Sequence, residues 1–237
     1  IRGGENIYPK EIEEFIYTHP KVQDVQVIGV PDEKYGEECC AWIILHKGES
    51  ADENEMKNEV IENIMARRSI RKYKDTPVDH ALLNEIIETA SYAPSWKHTQ
   101  IARYIAVEGE LKNRIAKECT EMFPGNGVII KNAPMLIAVT VIKGRSGYER
   151  DGSFTTAKGD SWQMFDAGIA AQSFCLAAHE KGLGTVIMGI FDEAKVASLL
   201  NIPETQEITA LIPIGYAAEE PVAPRRKPVE DLLSYQS

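Results

Sequence analysis

The chain has 237 residues, of which 43% are hydrophobic and 26% are charged, and its formal net charge is -10. This composition is typical of an ordinary globular protein, and the acidic balance argues against nucleic acid or an anionic membrane as the main partner. No apolar run approaches the roughly 20 residues that span a bilayer, and no signal-peptide pattern is seen, so a cytoplasmic location is expected. The four cysteines lack metal-ligand spacing, so we expect neither a metal site nor a disulfide framework.

The first elements predicted are a helix that begins at Pro9 and two strands at 22–30 and 39–46. Proline is favoured in the first turn of a helix, and the apolar residues that follow have helical spacing. The strands are expected on either side of a turn at 31–38, which is rich in charged residues and contains one proline and one glycine. The sequence therefore predicts a small helix-plus-hairpin unit at the N-terminus.

Residues 2–43, RGGENIYPKEIEEFIYTHPKVQDVQVIGVPDEKYGEECCAWI, resemble the start of the C-terminal lid domain of acyl-CoA synthetases and other adenylate-forming enzymes. In that family the GGENIYP loop helps to form the thioester-forming site. Adenylation also needs a large nucleotide-binding domain and a lysine late in the lid, which this sequence does not contain. Adenylate-forming activity is therefore not expected.

A second part is predicted to begin at Met56. The stretch MKNEVIENIMARRS has its apolar residues on one face of a helix, with Asp52 or Asn54 available as the N-cap. We predict two domains, a partial lid domain at 1–55 and a second domain at 56–237. Met56 resembles the initiator of a free-standing protein, which suggests that a lid fragment was joined to a complete second gene by natural fusion or by cloning.

The remaining pattern is that of an α+β domain with mixed helices and buried strands. The segment 144–160 reads as a long Gly/Ser/Thr-rich loop, suited to a lid or a mobile arm. The expected elements are a helix capped by Asp79 and stopped by Pro94, a helix at 111–123, a strand at 134–142, a helix at 162–181 ended by Gly182, a helix at 192–200 and a strand at 208–217.

The stretch RRSIRKYK, residues 67–74, places five cations and a serine hydroxyl where the preceding helix ends. Arginine offers planar, bidentate donors to phosphate oxygens, and serine adds a neutral hydrogen bond. A bound phosphate would suit this segment. The alternative is a solvated basic stretch that follows an acidic one, as most charge runs are.

An ordered set of segments resembles the nitroreductase family of flavin enzymes over residues 56–237. The segments are RRSIRKY, APSWKHTQ, DAGIAAQSFCLAAHEKGLG, IMGIFD, IPIGYA and RRKP. The resemblance implies an α+β fold, an α/β sandwich whose central mixed, mainly antiparallel sheet is flanked by helices. It also implies FMN at a homodimer interface, with both subunits contributing to each of two sites.

The family's phosphate motif falls on the basic segment. By resemblance Arg67, Arg68 and Ser69 hold the phosphate and ribityl chain of FMN, and Arg71 reaches the N1/O2 edge of the ring. A cation there would stabilise the negative charge that the reduced flavin gains. Arg226 matches a C-terminal phosphate-binding arginine of the family, and Arg225 or Lys227 could take its place in this assignment; the alternative is a solvated tail charge.

Two further segments are expected to contact the flavin. Pro94, Ser95 and His98 belong to the first, in which the family usually has asparagine at the position of His98; a histidine satisfied within the loop is the alternative. Met188 and Gly189 belong to the second, which passes the reactive N5 atom. Gly189 would let the backbone approach the ring and donate its N–H to N5, or it could be a simple turn residue.

The function predicted is an FMN-dependent oxidoreductase that uses NAD(P)H to reduce nitroaromatic, quinone or similar small-molecule acceptors by ping-pong hydride transfer through N5. No side chain is predicted to be catalytic, because the flavin carries the chemistry. No GxSxG or GxGxxG motif is present, and His179, Trp162 and Phe165 are expected to pack rather than react. The alternatives are a flavin-modifying or dehalogenating family member and a non-catalytic flavin-binding or sensor module.

Overall fold

The computed structural model describes residues 9–17, 19–32, 36–50 and 53–236, and the chain divides into two compact units, residues 1–65 and 66–237. The division lies ten residues beyond the expected junction at 55/56, because that junction falls inside a continuous helix, Glu53–Ala66. The position of the domain junction at 55/56 stays a prediction. None of the helices within the described ranges has the length and hydropathy needed to cross a membrane.

The first unit contains α1 (Pro9–Ile16), β1 (Val22–Asp32), β2 (Gly36–Leu45) and α2 (Glu53–Ala66). The two strands pair in antiparallel fashion and are longer than predicted, so the turn between them is shorter than 31–38. One face of the hairpin is buried against α1 and forms a small core of Val22, Val25 and Val27 with Ile12, Ile16, Ile43 and Leu45.

The predictions for the N-cap of α2 and for the GGENIYP loop have different outcomes. Asn54 lies inside α2 and is not its N-cap, whereas Asp52 and residues 3–8 of the GGENIYP loop lie outside the described residues. A residue inside a helix has helical backbone angles and cannot act as the cap. The prediction for Asn54 was therefore wrong.

The second unit is built on a four-stranded antiparallel sheet with strand order β3-β4-β6-β5. A parallel bridge between Ser69 and Thr185 adds the basic segment to one edge of this sheet. The elements are α3 (His80–Ala90), β3 (Ala102–Val107), α4 (Gly109–Glu118), α5 (Pro124–Asn132), β4 (Met135–Ile142), α6 (Ser161–Glu180), β5 (Leu183–Thr185), α7 (Glu193–Leu199) and β6 (Gln206–Tyr216). Single 3-10 turns occur at Trp96–His98 and Val229–Asp231.

The central strand β4 carries the core of this unit, because successive side chains point to opposite faces of the sheet. Met135, Ile137 and Val139 pack on one face against α3 and α6. Leu136 and Ala138 pack on the other face against α4, α5 and α7. The mainly antiparallel sheet flanked by helices confirms the predicted α+β fold.

The predicted helix at 111–123 was wrong in extent. α4 ends at Glu118, and α5 begins at Pro124 and was not predicted. Proline cannot continue a helix from the preceding turn but is favoured in the first turn of a new one, so Pro124 marks a start rather than an interior position. The strands β3 and β5 were also missed; β5 has only three residues, whereas β3 has six.

Other helix boundaries follow the sequence closely. The Asp79 carboxylate accepts a hydrogen bond from the Ala81 N–H at 2.8 Å and caps α3, as predicted. This helix ends at Ala90, before Pro94. Gly182 follows α6 with a φ of 76°, a conformation that glycine adopts without strain, which confirms it as the residue that ends this helix.

Candidate functional site

The basic segment is fixed along the edge strand β5. The Ile70 N–H donates to the Thr185 carbonyl at 3.0 Å, next to the Ser69–Thr185 bridge. Gly184 makes this approach feasible, because a Cβ at that position would lie 2.5 Å from Cγ1 of Ile70. Residues 67–71 therefore have a defined place on the fold, rather than forming a free basic stretch.

The backbone after Ser69 is held by two further contacts. The Arg71 and Lys72 N–H groups both donate to Glu219 Oε1, at 2.7 and 3.2 Å. The hydroxyl of Tyr73 is buried and donates to the Ile70 carbonyl at 2.6 Å. These contacts fix the peptide and leave the side chains of Arg71 and Lys72 exposed.

Arg67 carries a buried polar atom without a partner. Its side chain is half-buried, and within the described ranges no acceptor lies within hydrogen-bond distance of its Nε. Burial lowers the pKa of His179; the charge of Glu180 opposes this shift, and the charges of Arg67 and Arg68 add to it. A buried donor on a cation, with a second arginine beside it in the sequence, suits an anionic ligand.

The loop that follows β5 brings Gly189 to the surface. Met188 pairs with Leu211 through both backbone groups, at 2.8 and 3.0 Å, and its side chain is buried in the core. Ile187, Gly189 and Ile190 are exposed. In the part of the chain that the structure describes, the Gly189 N–H has no acceptor, and a Cβ on Gly189 would meet nothing within 4 Å.

Asn126, which the sequence did not single out, holds this loop from the other side. Its side chain is buried in the first turn of α5, and Nδ2 donates to the Ile190 carbonyl at 2.9 Å. Asn126 and Ile190 are 64 residues apart, so no local pattern could have linked them. The contact orients the peptide that follows Gly189.

The segment that contains Ser95 and His98 is a tight loop with an unusual backbone. Lys97, His98 and Gln100 have φ values of 45°, 56° and 46°, in the left-handed region. Each such residue other than glycine costs about 1–3 kcal/mol, and it persists only where surrounding contacts impose the conformation. Here the Ser95 hydroxyl accepts from the Gln100 N–H at 2.9 Å, and Lys97 pairs with Glu149 at 2.9 Å.

A cavity of about 490 Å³ lies beside this loop, between α3, β3 and α6. Its lining is mostly apolar and includes Leu83, Ile87 and Tyr104, with Pro94 and Ser95 at one side. Burial raises the pKa of Tyr104 to about 12, and the Cys175 thiolate charge would raise it as well. The Tyr104 hydroxyl therefore stays neutral at physiological pH and donates to the Ala170 carbonyl at 3.2 Å.

The predicted site residues fall into two groups within one chain. The first group, residues 67–71 and the Gly189 loop, adjoins β5, where Thr185 pairs with Ile214 and Ile214 with Met135. The second group, at 94–98, precedes β3, where the Ile101 carbonyl accepts from Ile142 N–H.

The distance between these groups follows from strand geometry. Met135 and Ile142 are the two ends of β4, about 24 Å apart along the strand, and β3 and β5 are three strand spacings apart, about 14 Å. Residues 67–71 and the 94–98 segment therefore adjoin opposite corners of the sheet. The Gly189 loop lies nearer the middle, because Met188 pairs with Leu211 and Leu211 pairs with Ala138 of β4. Arg226 lies in an exposed, extended segment after β6, and its place in a site stays a prediction.

Comparison with known proteins gives two family matches. The sequence model of the nitroreductase family matches residues 64–216. The sequence model of the AMP-binding enzyme C-terminal domain matches residues 11–92. The two matches overlap at residues 64–92. The lid-like resemblance and the flavin-enzyme resemblance are both confirmed.

The individual relatives also fall into two sets, one similar to acyl-CoA synthetases and the other to nitroreductases. A Bacillus subtilis protein provisionally named as an acyl-CoA synthetase is 58% identical over 73 residues, which are 31% of this chain but only 13% of that protein. A Methanothermobacter thermautotrophicus protein provisionally named NADH dehydrogenase/NAD(P)H nitroreductase is 34% identical over 170 residues, 70% of this chain and 81% of that one. The structure of an FMN-dependent nitroreductase from Clostridium difficile matches with a TM-score of 0.57 and 32% identity, covering 70% of this chain and 91% of that one.

Proposed function

Because the chain belongs to the nitroreductase family over residues 64–216, we propose that it is an FMN-dependent oxidoreductase. NADH or NADPH acts as the reductant, and a nitroaromatic, quinone or similar small molecule acts as the acceptor. The names of the similar proteins support the choice of FMN and of a nicotinamide reductant.

The unpartnered Nε of Arg67 is the observation that carries this proposal. A buried donor without an acceptor costs free energy, and a phosphate oxygen would satisfy it. Arg67, Arg68 and Ser69 would hold the phosphate of FMN, while Glu219 fixes the peptide that follows them. Arg226, on the exposed segment after β6, is proposed as a further cation for the same phosphate.

FMN, when bound, supplies a flavin ring whose N5 atom accepts a hydride and returns it. The chain's own residues would orient and shield that ring. The Gly189 N–H would donate a hydrogen bond to the ring, and the Arg71 side chain would favour negative charge on it. Ile187 and Ile190, both exposed beside Gly189, provide apolar surface that excludes water and that the reductant and acceptor occupy in turn.

A homodimer would complete the site. Within one chain, residues 67–71 adjoin one corner of the sheet and the segment with Ser95 and His98 precedes the opposite corner, so two copies would supply the two segments to one flavin. A two-fold axis makes the same contacts twice, which produces two equivalent sites at one interface. We propose that Pro94, Ser95 and His98 reach the flavin held by the second copy.

Binding of FMN and of riboflavin, followed by flavin fluorescence, tests the phosphate assignment. The protein should bind FMN much more tightly than riboflavin, which lacks the phosphate. Arg67→Gln should weaken FMN binding by about 10- to 100-fold, the value of one or two hydrogen bonds to a charged group, and leave riboflavin binding unchanged.

Arg114→Gln is the matched control for this test. Arg114 lies on the exposed face of α4, where it pairs with Glu118 at 3.1 Å, and its replacement removes the same charge far from residues 67–71. It should leave binding of both flavins unchanged. Equal affinity for FMN and riboflavin, or equal behaviour of the two variants, would show that Arg67 does not hold the phosphate.

A further inference from the structure

Asp166 is a buried carboxylate in the first half of α6 that contacts the predicted flavin loop directly. The Trp96 N–H donates to both of its oxygens, at 3.0 and 3.1 Å, and the Ser146 hydroxyl donates to Oδ2. Asp166 is only 4% exposed. No residue of the predicted site lies on α6, so this contact is outside the machinery described above.

The hydroxyl next to Asp166 extends the connection to the far end of the loop. An ionised carboxylate can only accept hydrogen bonds, so the single proton of Ser146 points to Asp166. The Thr99 hydroxyl lies 2.8 Å from Ser146 Oγ and must therefore donate to it. Asp166 thus fixes the loop at two places, at Trp96 and, through Ser146, at Thr99.

These two places enclose the strained residues. Lys97 and His98, with left-handed backbones, lie between Trp96 and Thr99, and Gln100 follows directly. Non-glycine residues keep such a conformation only where surrounding contacts impose it. The indole rings of Trp96 and Trp162 pack against each other, with centroids 4.6 Å apart and planes tilted by 44°.

We infer that Asp166 is a positioning residue, which holds the 95–100 loop in the conformation that presents Ser95 and His98 to FMN. The inference rests on the proposed function, because it assigns the loop a ligand. Asp166 itself is buried beneath the loop and acts through the Trp96 peptide and the Ser146 hydroxyl. It therefore affects how well FMN is held, without being a donor to it.

Gln163 provides the matched control. It lies three residues earlier on α6, is equally buried, and its Oε1 accepts from the Gly144 N–H at 2.7 Å. Gln163 therefore anchors the segment that follows β4, whereas Asp166 anchors the 95–100 loop. Replacing either residue by alanine removes one buried polar anchor from the same helix.

The test compares Asp166→Ala and Gln163→Ala by hydrogen exchange of the peptide 94–100, by FMN binding and by the thermal midpoint of the apoprotein. Asp166→Ala should speed exchange at Trp96 and weaken FMN binding by about tenfold or more, the equivalent of one hydrogen bond to a charged group. Gln163→Ala should change exchange near Gly144 and leave FMN binding within about twofold. Both should lower the thermal midpoint similarly.

If the alanine variant does not fold, Asp166→Asn takes its place in the test. Asparagine has the same shape as aspartate but one acceptor fewer. Its NH2 group can donate to the Ser146 hydroxyl, which would then donate to Thr99. The effects of Asp166→Asn should be in the same direction and smaller. If either Asp166 variant leaves exchange of 94–100 and FMN affinity as in Gln163→Ala, the positioning role is wrong. If the wild-type protein does not bind FMN, the proposed function fails, and the exchange measurement alone decides whether Asp166 fixes the loop.

Discussion

Tyr104 is a residue at which burial links ionisation to stability. Its ring stacks on Phe174 with centroids 5.5 Å apart, and burial raises the pKa of its hydroxyl to about 12. In the unfolded chain a tyrosine ionises at a pKa of about 10. Between these values the unfolded state loses its proton first, so the free energy of unfolding should fall as the pH rises through this window.

Tyr104→Phe should remove part of this pH dependence. The variant loses the hydrogen bond to Ala170, which is worth about 1 kcal/mol below pH 10, but the deficit should shrink toward pH 12. Urea unfolding at the two ends of the window measures the change. Tyr235→Phe, at an exposed position, should leave the pH slope as it is; an unchanged slope in Tyr104→Phe as well would contradict this explanation.

The roles of residues could be predicted where neighbours in the sequence act together, and could not be predicted where distant residues meet. The five cations of 67–74 lie within eight residues, so the segment could be recognised, and the structure gives it a fixed place beside β5. Asp166 and Trp96 are 70 residues apart, and Arg71 and Glu219 are 148 apart. Nothing in one sequence pairs such residues, because the sheet and α6 must form before they meet.

At the level of elements, the longest helix was predicted closely and the shortest strand was not. α6 differs from the predicted 162–181 by one residue at each end, since it is a long, weakly polar segment and Gly182 ends it. β5 has three residues, too few for any alternation to be read. β5 nevertheless positions both the basic segment and the Gly189 loop.

Gly184→Ala tests whether this strand positions the site. The added methyl group would lie 2.5 and 2.7 Å from Cγ1 and Cβ of Ile70, which is itself buried. We expect a loss of about 1–3 kcal/mol in the free energy of unfolding, from urea titration, because the overpacked segment must shift. FMN affinity should fall with it, since Arg67 and Ser69 belong to the displaced segment.

Gly168→Ala is the control for that substitution. Gly168 lies on α6, where an added methyl group would meet nothing within 4 Å, so alanine should stabilise the helix by about 0.5–1 kcal/mol. Replacement of glycine by alanine should thus lower the free energy of unfolding at position 184 and raise it at position 168. Equal effects at Gly184 and Gly168 would mean that the contact with Ile70 is not tight.

At the scale of the whole molecule, the two family matches divide the chain unequally. The first unit has its own small core beneath β1 and β2, while Trp42 and Ile44 on the opposite face of β2 are 67% and 57% exposed. The lid-like residues match only 13% of the length of the synthetase relative. The chemistry that we propose uses residues of the second unit alone.

Deletion of residues 1–55 should therefore have little effect on turnover. The shortened chain would begin at Met56 and keep every proposed flavin contact. Steady-state rates with a quinone acceptor, compared with those of the full chain and of Arg67→Gln, measure the effect. Loss of most of the activity on deletion, at unchanged FMN content, would mean that the lid-like segment takes part in the reaction.

The absorption spectrum of the FMN-loaded protein, recorded without oxygen as NADH or NADPH is added, tests the central claim most directly. We predict that the visible flavin band bleaches with at least one of the two nucleotides and returns when a quinone or nitroaromatic compound is added. A protein that holds FMN but does not bleach with either nucleotide would be a flavin-binding module rather than an oxidoreductase driven by NAD(P)H.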